Sequence, residues 1–561
     1  MKGEPIMKSL AKFILPFSLL AAWSCDSSGS ESLGLEIAVT SPSLAEYPDI
    51  KPFQDCDYVT VCTLVGSKKS CKTVEQADKL ASLSGLPFGK DAAVSMECKA
   101  AVNNGGTFEP GPTVSSGQTC ASSLSSGDEV LQKTLFLLPV ASCGPTVDTF
   151  GATSVPKEPR WGTVAMVVEA VDDLQAVAPD RVMLFGGADF KSGCNAWTTS
   201  DCIEAPSKKV DVYDPNNGTF DYLGEGSAQR LAEARAFAAG VTLPDGRIAI
   251  FGGIGQNGES LSSVEIFDPI TGIIAMGPKM EKTRAFHTAT LVDRSNGGYV
   301  LLVGGKGTGM RNWEIWGPND GMIGLANMNA GRYRHTATLI KGVSGARDMV
   351  VLAGGEDGQK VLDNYEVFDL EQATPKMEDR TYPLCTNDIG ALAALPKTMH
   401  TAVFVPDHGL LYFAGGFDNI NHTNPTNSIC ALTVSDRSFN LNAQKKLKLG
   451  LTRAAFTATH LADDVVLFAG GVTRNNAGTL TNSNTFEVMF EYLLETVDPD
   501  TGKVKQQLTV DLSDPAPMME GRLDHSAVKT CDGRALIVGG IQYVGVQLGA
   551  LETSELFNPQ P

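Results

Sequence analysis

Leu302-Val303-Gly304-Gly305 closes a short apolar run on a Gly-Gly pair, and six other stretches of the 561-residue chain end the same way. They are Leu184-Phe185-Gly186-Gly187, Ile250-Phe251-Gly252-Gly253, Leu352-Ala353-Gly354-Gly355, Phe413-Ala414-Gly415-Gly416, Phe468-Ala469-Gly470-Gly471 and Ile537-Val538-Gly539-Gly540. Successive pairs are about 50 to 70 residues apart, the period of a propeller blade with variable loops. A glycine pair after an apolar strand admits unusual backbone angles and close approach of a neighbouring sheet.

Each pair belongs to a longer unit. Around Gly304 the order is a strand over Phe286 to Val292, a turn, a strand ending at Gly305, a loop, and a third strand over Trp313 to Trp316. In the preceding unit Asp245-Gly246 makes the turn and Val264 to Pro269 the third strand, and Asp532-Gly533 repeats the turn in the last unit. Asp-Gly between apolar runs is a hairpin signal because both residues tolerate positive φ. The first strands open on a basic residue: Arg160, Arg235, Arg284, Arg332, Lys397, Arg453 and Arg522. Three residues later stand Thr163, Ala238, His287, His335, His400, Phe456 and His525. The third strand carries Asp211, Glu265, Glu314, Glu366, Glu487 or Glu555, with Cys430 in the remaining unit.

This set of Arg-x-x-His, Gly-Gly and Glu-aromatic-Asp elements resembles the kelch repeat, from about residue 146 to 561. The resemblance implies four-stranded blades around an axis, hence a seven-bladed propeller, and says little about function, since such propellers include enzymes and passive binders. The last unit runs out at Pro561 after three strands, so Thr146 to Val155 is expected to supply its fourth and remove a free sheet edge. Among kelch propellers, a copper radical oxidase resembling galactose oxidase needs two tyrosines, two histidines and a cysteine crosslinked to tyrosine. Tyrosine is sparse on the inner strands here and Cys531 has no evident tyrosine partner, so that carry-over fails. A metal-free sialic-acid epimerase is a second family comparison, and no acid/base pair outside the repeat pattern stands out for it.

Before the propeller, Lys8 and Lys12, the apolar Phe13 to Trp23 and Ala21-Ala22-Trp23-Ser24 lead into Cys25. That run is short for a bilayer span and reads as an export signal. With Ser/Gly-rich residues after it, Cys25 resembles a bacterial lipoprotein site, against plain secretion as the alternative; Ala22 and Trp23 depart from the usual pattern. The expected organisation is a signal over 1–25, a tether over 26–33, a β-sandwich-like domain over 34–142 and the propeller over 143–561. In the second domain Leu35 to Thr40, Tyr58 to Val65, Ala92 to Lys99 and Leu131 to Val140 read as strands. Gly105-Gly106 and Ser115-Ser116-Gly117 read as turns, and Val74 to Ser84 as a short helix. The fold class is thus all-β, with a disulfide-containing β domain ahead of the propeller. In an exported chain the cysteines point to disulfides. Cys194 and Cys202 are the pair expected first, Cys385 and Cys430 a second, with Cys531 left over; pairing within Cys56 to Cys143 stays open, and the spacings lack the tight Cys-x-x-Cys of a zinc site.

A net charge of −19 argues against nucleic acid and against an anionic membrane surface. No phosphate-binding glycine loop, Gly-x-Ser-x-Gly turn or His-Glu-x-x-His helix is present. His287, His335, His400 and His525 read either as an arc of metal-binding imidazoles near the axis or as repeated structural fillers between strands. The basic column reads either as buried partners of the acids or as a rim that attracts carboxylates. Phe486 to Glu495 and Lys503 to Leu512 read as a projecting hairpin, and Gly187 to Lys208 and Met377 to Pro396 as long insertions. The functional expectation is noncatalytic binding of a protein or polysaccharide at the cell envelope, with no cofactor and membrane attachment only through a lipid on Cys25. A carbohydrate-active epimerase or oxidase and an architectural envelope protein are the competing classes.

Overall fold

The computed structural model describes residues 18–20, 35–40, 56–65, 68–75, 92–104, 107–118, 131–136, 138–139, 142–146 and 153–559. Within the last span 169–179, 195–196, 225, 294–297, 344–346, 372–374, 386–394, 436–437, 440–446, 463–464, 498–503 and 545–546 are excepted. The Cys25 site, the tether and most of the expected helix after Val74 lie outside the described residues. The chain divides into two units, one of 1–140 with short additions and one of 141–148 and 153–559.

In the first unit, Leu35–Thr40 pairs parallel with Leu131–Phe136 and antiparallel with Ser18–Leu20, a segment inside the run read as an export signal. A five-stranded sheet is built on Tyr58–Val65, flanked by Lys68–Glu75 and Ala92–Asn104. Ser115-Ser116-Gly117 lies within the strand Thr107–Gln118 rather than in a turn, because backbone pairing with Ala92–Asn104 overrides its turn-like composition. Val74 likewise ends a strand rather than opening a helix. Disulfides join Cys56 to Cys98 and Cys62 to Cys71.

The second unit holds seven antiparallel blade sheets among the described residues, each built on one Gly-Gly repeat; four have four strands and three carry a fifth strand paired to the third. Blade three is typical, with strands Thr288–Asp293, Tyr299–Val303, Asn312–Gly317 and Gly321–Asn327. Its second strand is buried on both faces, from Val300 to Val303, which is why that segment reads as an unbroken apolar run. The first strands of consecutive blades lie side by side, and that of blade seven lies beside that of blade one. The fold is a kelch-like β-propeller.

Closure comes from the N-terminal side of the unit, four residues earlier than expected. Ser142–Pro145 forms the outer strand of blade seven, pairing Cys143 with Phe557 and Pro145 with Glu555. Ser-Cys-Gly-Pro looks like a turn, but an outer edge strand tolerates proline because its N–H side need not pair. Thr146 then bonds Ser554 across the seam at 2.8 Å.

The Gly-Gly pairs carry the ring. The second glycine N–H of each blade donates to the backbone carbonyl of the next blade's basic residue: Gly187 to Arg235, Gly253 to Arg284, Gly305 to Arg332, Gly355 to Lys397, Gly416 to Arg453 and Gly471 to Arg522. Gly540 N–H donates to Arg160 O at 2.7 Å and completes the cycle. Gly305 has φ +100°, and a Cβ there would sit 2.7 Å from His287 Cβ, so both conformation and space exclude a side chain.

A second series of links lies two residues after each basic residue. Gly162, Phe237, Phe286, Arg334, Met399, Ala455 and Asp524 all adopt left-handed backbone, with φ between +51° and +67°. Their amides link consecutive blades, from Phe237 N–H on Gly162 O at 2.7 Å to Asp524 N–H on Ala455 O at 2.8 Å. This conformation costs a non-glycine residue on the order of 1–3 kcal/mol, so its recurrence shows the surrounding bonds over-determining the backbone. It also explains why the first strand of blade three begins at Thr288 rather than at Phe286.

Candidate functional site: the mouth of the propeller

The repeated charged columns lie inside the blades. Arg160 pairs with Asp211 at 2.7 Å, Arg235 with Glu265 at 2.6 Å and Arg284 with Glu314 at 2.7 Å. Arg332 pairs with Glu366 at 2.5 Å, Arg453 with Glu487 at 2.9 Å and Arg522 with Glu555 at 3.0 Å. Both members of every pair are buried. Each arginine also donates to the carbonyl of its blade's first Gly-Gly residue, as Arg332 does to Gly354 O at 2.7 Å. The acids accept backbone amides from the segment entering the blade, as Glu314 does from Glu281 and Lys282. The columns therefore join strands within a blade and do not rim the mouth.

Blade five substitutes a different solution. Cys430 occupies the acid position but is disulfide-bonded to Cys385, so Lys397 donates instead to Ser428 Oγ at 2.6 Å and Gly415 O at 2.9 Å. Burial pushes its ammonium pKa down to about 7.

The histidine column sits between blades. His335 Nε2 meets Thr288 Oγ1 at 3.0 Å, His400 meets Thr336 at 3.0 Å, and His525 meets Thr457 at 2.9 Å, each reaching back to the preceding blade. His287 faces a blade whose corresponding residue is Ala239, and neither of its ring nitrogens has a protein partner among the described residues. Burial first, and then the neighbouring cations, push His287 and His400 down to about 3 and His335 and His525 well below the usual range. These imidazoles are neutral pins between sheets.

The mouth itself is built around an apolar cluster. Trp161, Phe190, Trp197, Phe417, Ala454, Ala455, Leu523 and Ile541 form one buried apolar cluster drawn from blades one, five, six and seven, with Phe237 and Met399 packed against it. Trp161 lies 5.0 Å from Phe237 and 5.1 Å from Phe190, and its indole N–H donates to Asp524 at 2.9 Å. The long insertion of blade one makes the cover. Asp189–Phe190 and Ile203–Glu204 pair as its stem, and the Cys194–Cys202 disulfide closes it. From there Trp197 reaches Phe417 of blade five, Thr198 O accepts from Arg334 of blade four at 2.5 Å, and Ser200 Oγ accepts from Lys306 of blade three at 2.8 Å. A loop that starts in blade one and touches blades three, four and five of a seven-membered ring crosses the axial opening.

Beside this cover lies a cavity of about 290 Å³ lined in part by Glu356, which is fully buried. Glu356 accepts from Arg334 at 3.1 Å and His422 Nε2 at 2.7 Å, and Tyr333 is hydrogen-bonded to it. Burial alone would push the Glu356 carboxyl up; the His422 and Arg334 contacts outweigh it and hold the group below the usual carboxylate range. Burial, and then the Glu356 charge, push Tyr333 up to about 12. Arg334 lies over the Phe286 ring at 4.8 Å, and His422 holds a left-handed φ of 52°. None of these residues belongs to the site set read from sequence. Their signal is departure from the columns: Glu356 stands where five other blades carry Ala188, Ile254, Phe417, Val472 or Ile541 and blade three carries Lys306, and Arg334 where the others carry Gly162, Phe237, Phe286, Met399, Ala455 or Asp524.

Cysteine pairing differs from expectation at one point. Cys531 is disulfide-bonded, and the free, buried thiol among the described residues is Cys143, on the closing strand of blade seven. The strands of the expected hairpin are present, Thr485–Val497 pairing with Val504–Leu512. No described group of three or more His, Cys, Asp and Glu residues has the arrangement of a metal site.

Fold and mouth together define a disulfide-bearing, kelch-like propeller with a covered axial opening. No family model matches the chain. It is 27% identical over 173 residues to Kelch-like protein 35 of Mus musculus, covering 25% of this chain and 29% of that protein. The chain therefore matches under a third of that relative's length. A solved fungal alcohol oxidase of the AA5 family, in complex with copper, is similar at a TM-score of 0.48 and 15% identity over 75% of this chain and 76% of that one. At that level nothing is carried over from it.

Proposed function

We propose that this is an exported propeller that binds a protein or polysaccharide at the cell envelope without transforming it, held to a membrane by a lipid on Cys25. The observation that carries this reading is the cover: an apolar cluster fills the axial mouth and a disulfide-closed loop spans it, leaving a lateral pocket whose ionisable groups are largely bonded to one another. Mutually satisfied groups make a rigid recognition surface, and rigid scaffolds carry binding in their loops. The disulfides accord with an oxidising, extracytoplasmic destination.

A second reading, an acid/base enzyme acting on a sugar, rests on the Glu356–His422 contact. A buried carboxylate that fixes one imidazole nitrogen leaves the other available for proton transfer. One experiment separates the two. Glycan and protein arrays probed with the purified chain, with bound metals quantified and array eluates analysed, are expected to show specific binding with the ligand recovered intact. Stoichiometric metal or an altered ligand overturns the binding reading.

A further inference from the structure

We infer that the pocket beside the cover recognises a carboxylate-bearing sugar within a polysaccharide, Lys306 supplying the charge that selects it. This deepens the binding reading above and rests on it. The argument is one of unmatched charge. Lys306, Arg334 and Glu356 all line the cavity, and the single carboxylate is committed to Arg334, His422 and Tyr333. Lys306 Nζ donates to the Ser200 hydroxyl and has no carboxylate partner among the described residues. The pocket is therefore left with positive charge on a chain whose net charge is −19.

Lys306 is also out of place in its own repeat, since the residue after Gly-Gly is apolar in five of the other six blades and Glu356 in the sixth. Arg334 and Lys306 are bonded to Thr198 O and Ser200 Oγ, two residues apart on the cover, so both cations converge on one short segment. An ammonium beside hydroxyl and amide groups matches an anionic ligand that also presents hydroxyls. Thr198, Thr199, Ser200 and Asn421 provide such groups, and Tyr333 adds an aromatic ring to the wall. A cavity of about 290 Å³ is at the small end of ligand sites and suits a sugar unit rather than a folded protein segment.

The test measures binding of the purified full chain to polygalacturonate and to its carboxyl-reduced, neutral counterpart, with Lys306→Gln and, as a distant exposed control, Lys529→Gln. The expected result is salt-sensitive binding to the uronate polymer, weakened about tenfold in Lys306→Gln, unchanged in Lys529→Gln and absent for the neutral polymer. Because Lys306 is exposed, its variant is expected to melt with the wild type. Equal binding of both polymers, or Lys306→Gln binding like the wild type, overturns the acidic-sugar inference while leaving the binding reading intact. So does failure of both polymers when the arrays yield a protein ligand. Lys306-dependent binding followed by cleavage or isomerisation of the polymer supports the acidic-sugar inference and overturns the noncatalytic reading instead.

Discussion

Glu314→Ala is expected to destabilise the propeller by about 3–5 kcal/mol, the cost of leaving a buried charge without its partner. Arg284 would keep its carbonyl bonds to Gly304, Gly309 and Asn312 but lose the carboxylate 2.7 Å away. The amides of Glu281 and Lys282 would lose their acceptor at the same time. Every blade but the fifth repeats this arrangement, so the loss falls on a joint within one blade while the backbone bonds between blades persist. Chemical denaturation of the variant measures the effect. A change below about 1 kcal/mol, the range of an exposed ion pair, would show that the column is not a buried structural joint.

Stability is expected to fall as the pH drops from 7 to 5, driven by the four histidine pins. Their folded pKa values lie below the unfolded value of 6.5, at about 3 for His287 and His400 and well below 6.5 for His335 and His525. Below pH 6.5 the unfolded chain binds protons that the folded chain refuses, so stability rises with pH in this window and is lost on acidification. His287 and His400 each contribute about 2 kcal/mol of that loss by pH 5, and His335 and His525 add to it in the same direction. The window lies above the range in which Glu356, itself held low, begins to protonate. Blade six already carries Phe456 in this column, so His335→Phe is a replacement the fold itself uses. Denaturation curves at pH 7 and pH 5 should show the variant losing less stability than the wild type. Equal losses would mean that the His335 imidazole protonates in place.

The ring was legible in the sequence because symmetry repeats each constraint seven times. Gly-Gly pairs and basic residues each answer to one bond made in every blade, and third-strand acids to one made in every blade but the fifth. The closing strand was located only approximately, since Ser142-Cys143-Gly144-Pro145 gains its extended form from pairing with Ser554–Asn558 and not from its own propensity. The assignment of Cys531 as the leftover thiol failed because distant partners decide disulfides, and Cys143 is sequestered on that closing strand instead. The mouth pocket was invisible for the opposite reason to the ring. Glu356, Arg334, His422 and Lys306 come from three blades and match no column, so their convergence depends on the closed ring and on the blade-one loop that crosses it. Functional residues of a repeat protein are sought where a column is broken, and here Glu356 and Arg334 are the clearest breaks.

The most direct test of this division between ring and mouth is amide hydrogen exchange of the purified chain with and without the ligand recovered from the arrays. Protection is predicted at Trp197 to Cys202, around Lys306, at Tyr333-Arg334, at Glu356 and from Ile420 to His422, with the inner strands unchanged. Protection confined to the Thr485–Val497 hairpin or to the outer strands, with the mouth exchanging as before, would contradict it.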